Sequence, residues 1–197
     1  MDDALGEALD KSARLLHCPW SDSGGLGKEL EILASRGKPL NFHVNALENY
    51  EDPLSLSFSG LKTALKAFII EKSQEGASNE DLAATIQNIL FGHVIDRVKN
   101  CFIILKESGY NVSEFSLIGG VACNHFLRNE LEKQCQKFGI RLIVPELSLC
   151  ADNAVMIGIA ANKIASIVNG AKSYLKSGRI NTNWNLEELC INKYVLE

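Results

Sequence analysis

The stretch Phe115-Ser-Leu-Ile-Gly-Gly-Val-Ala-Cys-Asn-His-Phe-Leu-Arg128 dictates a strand, a sharp turn and a helix, in that order. Residues 115–118 are a short apolar run of the kind that sits in a buried sheet. Gly119 and Gly120 carry no Cβ, so the backbone can turn sharply there and approach another group closely. Asn124 is a good N-cap for the helix that follows through Leu127, Leu131, Cys135 and Phe138 and stops at Gly139. Such a helix start presents unpaired N–H groups and the positive end of a dipole, which suits a nucleotide. Short glycine motifs also mark junctions that bind nothing, and on local pattern alone the plain βα junction is favoured.

Residues 140–144, closed by Pro145, form a second apolar run, and the order strand, helix, strand predicts parallel pairing with 115–118. Asp152 then precedes a helix of small and apolar residues, Ala154, Val155, Ile157, Gly158, Ala160 and Ala161, where its ordinary role would be a cap.

Upstream the spacing is helical. Over 4–16, Leu5, Ala8, Leu9, Ser12, Ala13 and Leu16 share one face, and Glu7, Asp10, Lys11 and Arg14 share the other. Glu7 with Lys11 and Asp10 with Arg14 are i,i+4 pairs in the favourable order, each worth about 0.2–0.5 kcal/mol, so spacing alone makes Asp10 a solvated helix residue. A loop carrying Pro19, Gly24, Gly25 and Gly27 leads into a second helical stretch with Leu30, Leu33 and Ala34 inward. Residues 38–53 read as loop. The alternation of Leu54-Ser-Leu-Ser-Phe58 predicts a half-buried strand feeding a helix through Leu61, Leu65, Phe68 and Ile69. Ser78 with Asp81 resembles a capping box, and a helical stripe then runs from Leu82 to about Glu107. His93 lies beside that stripe with no partner histidine three or four residues away, which favours packing over metal ligation. The reading is α/β overall. It has a mainly helical part over 1–109 with one strand near 54–58, an α/β part over 110–170, and a tail over 171–197 with weak period.

Composition narrows the classes. With 46% hydrophobic residues in 197 the chain can bury a core, and no apolar run reaches the roughly 18 residues of a membrane span, so a soluble globular chain is expected. A net charge of -4 gives no global basic field. The six cysteines stand far apart without a C-x-x-C pair, which argues against a zinc ribbon or a disulfide framework and for a reducing compartment. The N-terminus shows neither a signal peptide nor an Arg-rich transit peptide.

Four stretches together resemble one family: Asp2-Asp-Ala-Leu-Gly-Glu-Ala-Leu-Asp-Lys11, Leu56-Ser-Phe-Ser-Gly-Leu-Lys-Thr-Ala64, Ile118-Gly-Gly-Val-Ala-Cys-Asn124 and Asp152-Asn-Ala-Val-Met-Ile-Gly158. In that order they are similar to the tRNA threonylcarbamoyladenosine transferases, formerly called O-sialoglycoprotein endopeptidases, over about residues 2–165. The second stretch is closer to the bacterial and mitochondrial branch. The resemblance implies the C-terminal lobe of a two-lobed actin, sugar-kinase and Hsp70-like fold. It implies threonylcarbamoyl-AMP held beside one divalent metal (Fe, Zn or Mg), and transfer of threonylcarbamoyl to the adenosine following the anticodon in tRNAs that read ANN codons. By the same resemblance Asp10 is the ribose-binding carboxylate, Asn124 the nucleotide-binding amide with Cys123 beside it, and Asp152 a metal ligand. A glycine and a glutamate four residues later complete the contacts, in one of two registers: Gly25 with Glu29, or Gly27 with Glu31. A carboxylate accepts from both ribose hydroxyls, a hard oxygen suits Mg²⁺ or Fe, and an amide reads a base edge.

The family's metal site also needs two histidines at H-x-x-x-H spacing and a Ser-Gly-Gly-His loop. Neither is in this chain, whose histidines are His17, His43, His93 and His125. The expectation is therefore a fragment or short isoform without its N-terminal lobe, holding no metal and inactive by itself. The alternative is a catalytically dead adenylate-binding or scaffold module that pairs with a full-length family member. A homodimer or an accessory subunit is the expected partner, with no membrane. The expected location is the mitochondrion by branch resemblance, or else the cytoplasm.

Overall fold

In the computed structural model, residues 4–20, 24–42 and 52–167 are described. Residues 43–51 of the 38–53 loop, His43 among them, and the 171–197 tail lie outside them, as do Asp2, Asp3 and the middle of the first glycine loop. The chain divides into two compact units, residues 1–151 and 152–197.

Helix α1 (Leu5–Leu15) buries Ala8, Leu9, Ser12 and Ala13, the face its spacing predicts, and the Glu7–Lys11 pair closes at 2.6 Å on the other side. Helix α2 (Gly25–Ala34) turns Leu26, Leu30 and Ala34 inward against α1, and α3 (Ser59–Gln74) adds Leu61, Leu65, Phe68 and Ile69. Helix α4 (Asn79–Glu107) is the axis of this unit. Its first turns are buried all round, from Leu82 to Gln87, as befits a helix covered on every side by others. Its start is fixed by the expected cap, because Asp81 N donates to Ser78 Oγ at 3.1 Å. Asp81 in turn accepts from Lys38 N at 2.7 Å, tying the exit of α2 to the start of α4. His93 is buried, with its ring edge-on to Phe58 at 5.6 Å.

The predicted parallel pair forms. Strand β1 (Glu114–Ser116) pairs with β2 (Arg141–Ile143) in the register Phe115 to Leu142, and α5 (His125–Phe138) makes the crossover between them. Phe115 and Phe138 both meet Phe102 of α4 with ring centroids 5.4 Å apart, so the sheet and its helix dock onto the far half of α4. The fold is thus α/β, mostly helical, with a two-stranded sheet among the described residues.

One expected strand is absent: residues 54–58 form a turn and an extended connection. Asp52 Oδ1 accepts from Leu54 N, and Arg97 and Asn100 of α4 donate to the carbonyls of Ser55 and Pro53. With that backbone bonded to side chains, no neighbouring strand is required. The alternation does not mark a buried face either, since Leu54 and Leu56 are exposed and only Phe58 is buried.

The first unit ends with the short helix α6 (Leu147–Cys150), which lies against the 3-10 turn Gly120–Cys123. The second unit opens on α7 (Ala154–Ile167).

Candidate functional site at the start of helix α5

The turn between β1 and α5 has the geometry its residues demand. Gly119 sits at φ +88°, a left-handed conformation that side chains resist, and the 3-10 turn Gly120–Cys123 then delivers Asn124. Asn124 Oδ1 accepts from Leu127 N at 3.0 Å, so Asn124 is the N-cap that the sequence predicts.

Three other elements reach the same point. From α2, the buried Glu31 accepts the backbone N–H of His125 on Oε1 at 2.6 Å and the Lys28 ammonium on Oε2 at 2.8 Å. A carboxylate at a helix N-terminus meets both the unpaired N–H groups and the positive dipole end, and its bonds there are charge-assisted. From α4, the buried Gln87 accepts from Asn124 Nδ2 at 3.4 Å. From α1, Gly6 lies against Val121 of the turn, and the half-buried Asp10 stands beside Gly27, where a Cβ would come 3.9 Å from Oδ1. Asp10 thus stands beside Gly27 of α2, and Glu31, one turn further along α2, bonds the first residue of α5.

The two glycine registers part company in space. Gly27 and Glu31 are one turn apart on α2, the first beside Asp10 and the second at the start of α5. Gly25 instead packs under the Trp20 ring, and Glu29 lies close enough to Cys18 that its charge helps burial raise that thiol. Of the two glutamates, Glu31 is the one that bonds at the start of α5.

Cys123 is half-buried, and its thiol points to the Leu147 carbonyl 3.8 Å away. Burial pushes its pKa up, the neighbouring Cys150 thiol pushes the same way, and the Arg128 guanidinium pulls back. Arg128 also donates from Nη2 to the Cys123 carbonyl at 3.1 Å, which holds the turn from the helix side.

Asp152 is exposed and belongs to the second unit. The cap of α7 is its neighbour: Asn153 Oδ1 accepts from Met156 N at 2.9 Å. The capping role that spacing offers Asp152 falls to Asn153. Among the described residues no three His, Cys, Asp or Glu side chains come together as a metal would require. Those residues do not fit a metal centre by themselves. Among them, too, no helix is long and apolar enough to cross a membrane.

Gln87 is the residue that sequence reading passed over, because nothing in its neighbourhood on α4 distinguishes it from the polar residues between apolar ones. Its burial, beside Thr85 and among apolar residues, is the signal, and that needs the fold.

A parallel βα unit with a glycine turn, whose helix start is met by Glu31 of α2 and Gln87 of α4, defines an α/β protein with a candidate polar site at that turn. Comparison with known proteins makes the class particular. Residues 1–159 match the family described as tRNA N6-adenosine threonylcarbamoyltransferase, and the chain belongs to that family of tRNA-modifying transferases. Proteins carrying that same description are 35% identical over 158 residues in Wolbachia sp. subsp. Brugia malayi (strain TRS) and 38% identical over 172 residues in Sinorhizobium medicae (strain WSM419). The first comparison covers 80% of this chain and 45% of the relative, the second 84% and 46%. The chain therefore spans about half the length of the curated relatives it matches.

Proposed function

We propose that this chain supplies the adenylate-binding side of a tRNA threonylcarbamoyl transfer site, as the C-terminal lobe of an actin, sugar-kinase and Hsp70-like enzyme. The observation that carries the proposal is the start of α5, where Asn124 caps the helix and Glu31 accepts from His125 N, with Gly27 one turn before Glu31 on α2 and beside Asp10. In this reading Asp10 accepts from the ribose hydroxyls of threonylcarbamoyl-AMP, and Gly27 lets the nucleotide approach the backbone of α2. Asn124 reads an edge of the base, Glu31 holds the helix start, and Cys123 lines the turn beside them. The adenosine amine of the tRNA forms a bond to the carbamoyl carbon as the bond from that carbon to the phosphate oxygen breaks. AMP leaves, and the amine loses a proton.

Asp152 is proposed as one oxygen donor to a divalent metal, Fe, Zn or Mg, whose other ligands come from outside the described residues. With that half of the site supplied elsewhere, the chain alone binds adenylate and does not turn over. A second copy or an accessory subunit is the proposed partner, and the mitochondrion, or else the cytoplasm, the proposed location.

Incubating the purified chain with threonylcarbamoyl-AMP and a tRNA reading ANN codons, followed by nucleoside analysis, tests the reading. Adenylate binding without modified adenosine is the expected result. Turnover by the chain alone would overturn its dependence on a partner. Absence of adenylate binding would overturn the nucleotide site and leave a scaffold role.

A further inference from the structure

Gln87 is more than nine-tenths buried in α4, where Ala83, Ala84, Ile86, Leu90 and Phe91 are buried and apolar and the nearby buried polar residue Thr85 donates within the helix and accepts from Leu40 N. A buried amide costs stability unless it is hydrogen-bonded, and a methionine would fill the same volume without that cost. Among the described residues its bond to another element is the 3.4 Å contact between its Oε1 and Nδ2 of Asn124.

Asn124 is over-equipped for capping. The cap uses Oδ1 alone, and Asp or Ser would serve α5 as well. Nδ2 carries two N–H groups that the cap does not need. With Oδ1 committed to Leu127 N and one N–H to Gln87, the amide cannot flip without losing both bonds, and among the described residues a single N–H is left to offer a ligand.

We infer that Gln87 is a positioning residue. It fixes the Asn124 amide so that one N–H points at a hydrogen-bond acceptor on the bound nucleotide, which makes Asn124 a donor-only reader of that acceptor. The inference rests on the nucleotide-binding reading given above and names what orients its central residue. Gln87 touches no ligand itself.

The test uses the full chain as wild type, Gln87→Met and Gln87→Glu, the last of which keeps an acceptor at the same reach. Two readouts are taken after thermal melts establish folding. One is the NMR signal pair of the Asn124 side-chain amide, assigned by its disappearance in Asn124→Asp, with its rate of hydrogen exchange. The other is titration with AMP. The expected result for Gln87→Met is a shifted, faster-exchanging Asn124 amide and AMP binding weakened about tenfold or more, with both restored toward wild type in Gln87→Glu. A role in packing alone would move the melt and leave the Asn124 signals in place. An Asn124 amide and AMP affinity unchanged in folded Gln87→Met overturn the inference, and should Gln87→Glu not fold, that comparison with wild type decides it. If the amide responds but wild type binds no AMP, the nucleotide reading falls while the orienting role of Gln87 stands.

Discussion

At the scale of single residues the site turns on side chains with more than one partner. Asn124 caps α5 with its oxygen and faces Gln87 with its nitrogen. Asn124→Ala removes both and should destabilise the fold by about 1 kcal/mol, the usual worth of a helix cap, read as a lowered midpoint in thermal or urea unfolding. Asn124→Asp keeps the capping oxygen and places a negative charge at the positive end of the helix, so its melting temperature should match or exceed that of wild type. Cys123 gives a separate check. Its thiol is pushed up by burial and by Cys150, so it holds little thiolate near neutral pH and should alkylate with iodoacetamide more slowly than a free cysteine. Arg128 opposes that shift, and Arg128→Ala should slow the reaction further.

The sequence revealed these residues unevenly. Asn124 and Ser78 were legible because a cap is a local device, read within three residues of chain. Glu31 was legible only as one of two registers, because its partner His125 lies 94 residues away and only folding brings them together. Gln87 was not legible at all. Its burial depends on what packs around α4, and no spacing within α4 announces that.

At the scale of elements, the periodicities held where an apolar face is covered and failed where it is not. The helical stripes of α1 and α3 matched their buried faces, α4 formed as expected but buries residues all round its early turns, and the two apolar runs paired in parallel as their βαβ order required. The alternation over 54–58 failed because side chains of α4 take up the carbonyls there and two of its leucines stay exposed.

The packing of these elements leaves little room at the junction of α2 and α4. A Cβ added at Gly37 would lie 2.0 Å from the Glu80 carbonyl oxygen and 2.6 Å from Asp81 N, backbone atoms that cannot swing aside. Gly37→Ala should therefore cost on the order of 2–3 kcal/mol, measured as a drop in urea midpoint, the size of other overpacking substitutions.

The same junction carries an acid response. The bond from Lys38 N, then the Ser78 hydroxyl, hold the Asp81 carboxyl below its ordinary value of 3.8. A lowered folded-state pKa means the unfolded chain takes up the proton first. The stability Asp81 adds is full above about 3.8 and is lost as pH falls through its folded value. In Asp81→Asn that contribution is absent at every pH, so the stability gap to wild type should narrow as pH falls below about 4. A gap independent of pH would show that the capping carboxyl is not linked to stability.

At the scale of the whole molecule, the first unit builds a helical layer on α4 and hangs a small parallel sheet from its far end. The turn between sheet and helix thereby faces residues of α1 and α2 that are more than 90 positions away in the chain. Membership of the threonylcarbamoyltransferase family stands beside a glycine turn at which Asn124 caps α5 and Glu31 of α2 bonds His125 N. The chain covers 45% of the length of its Wolbachia relative, so nucleotide binding is the part of the account this polypeptide can be asked to show by itself.

The direct measurement is calorimetric titration of AMP into the full chain as wild type, Asp10→Asn and Asn124→Asp, all confirmed folded. The account predicts saturable heat for wild type and binding weakened about tenfold or more in each variant, as removal of a ribose acceptor and of the base-reading N–H requires. Equal heats in all three proteins, or no heat in wild type, would contradict it.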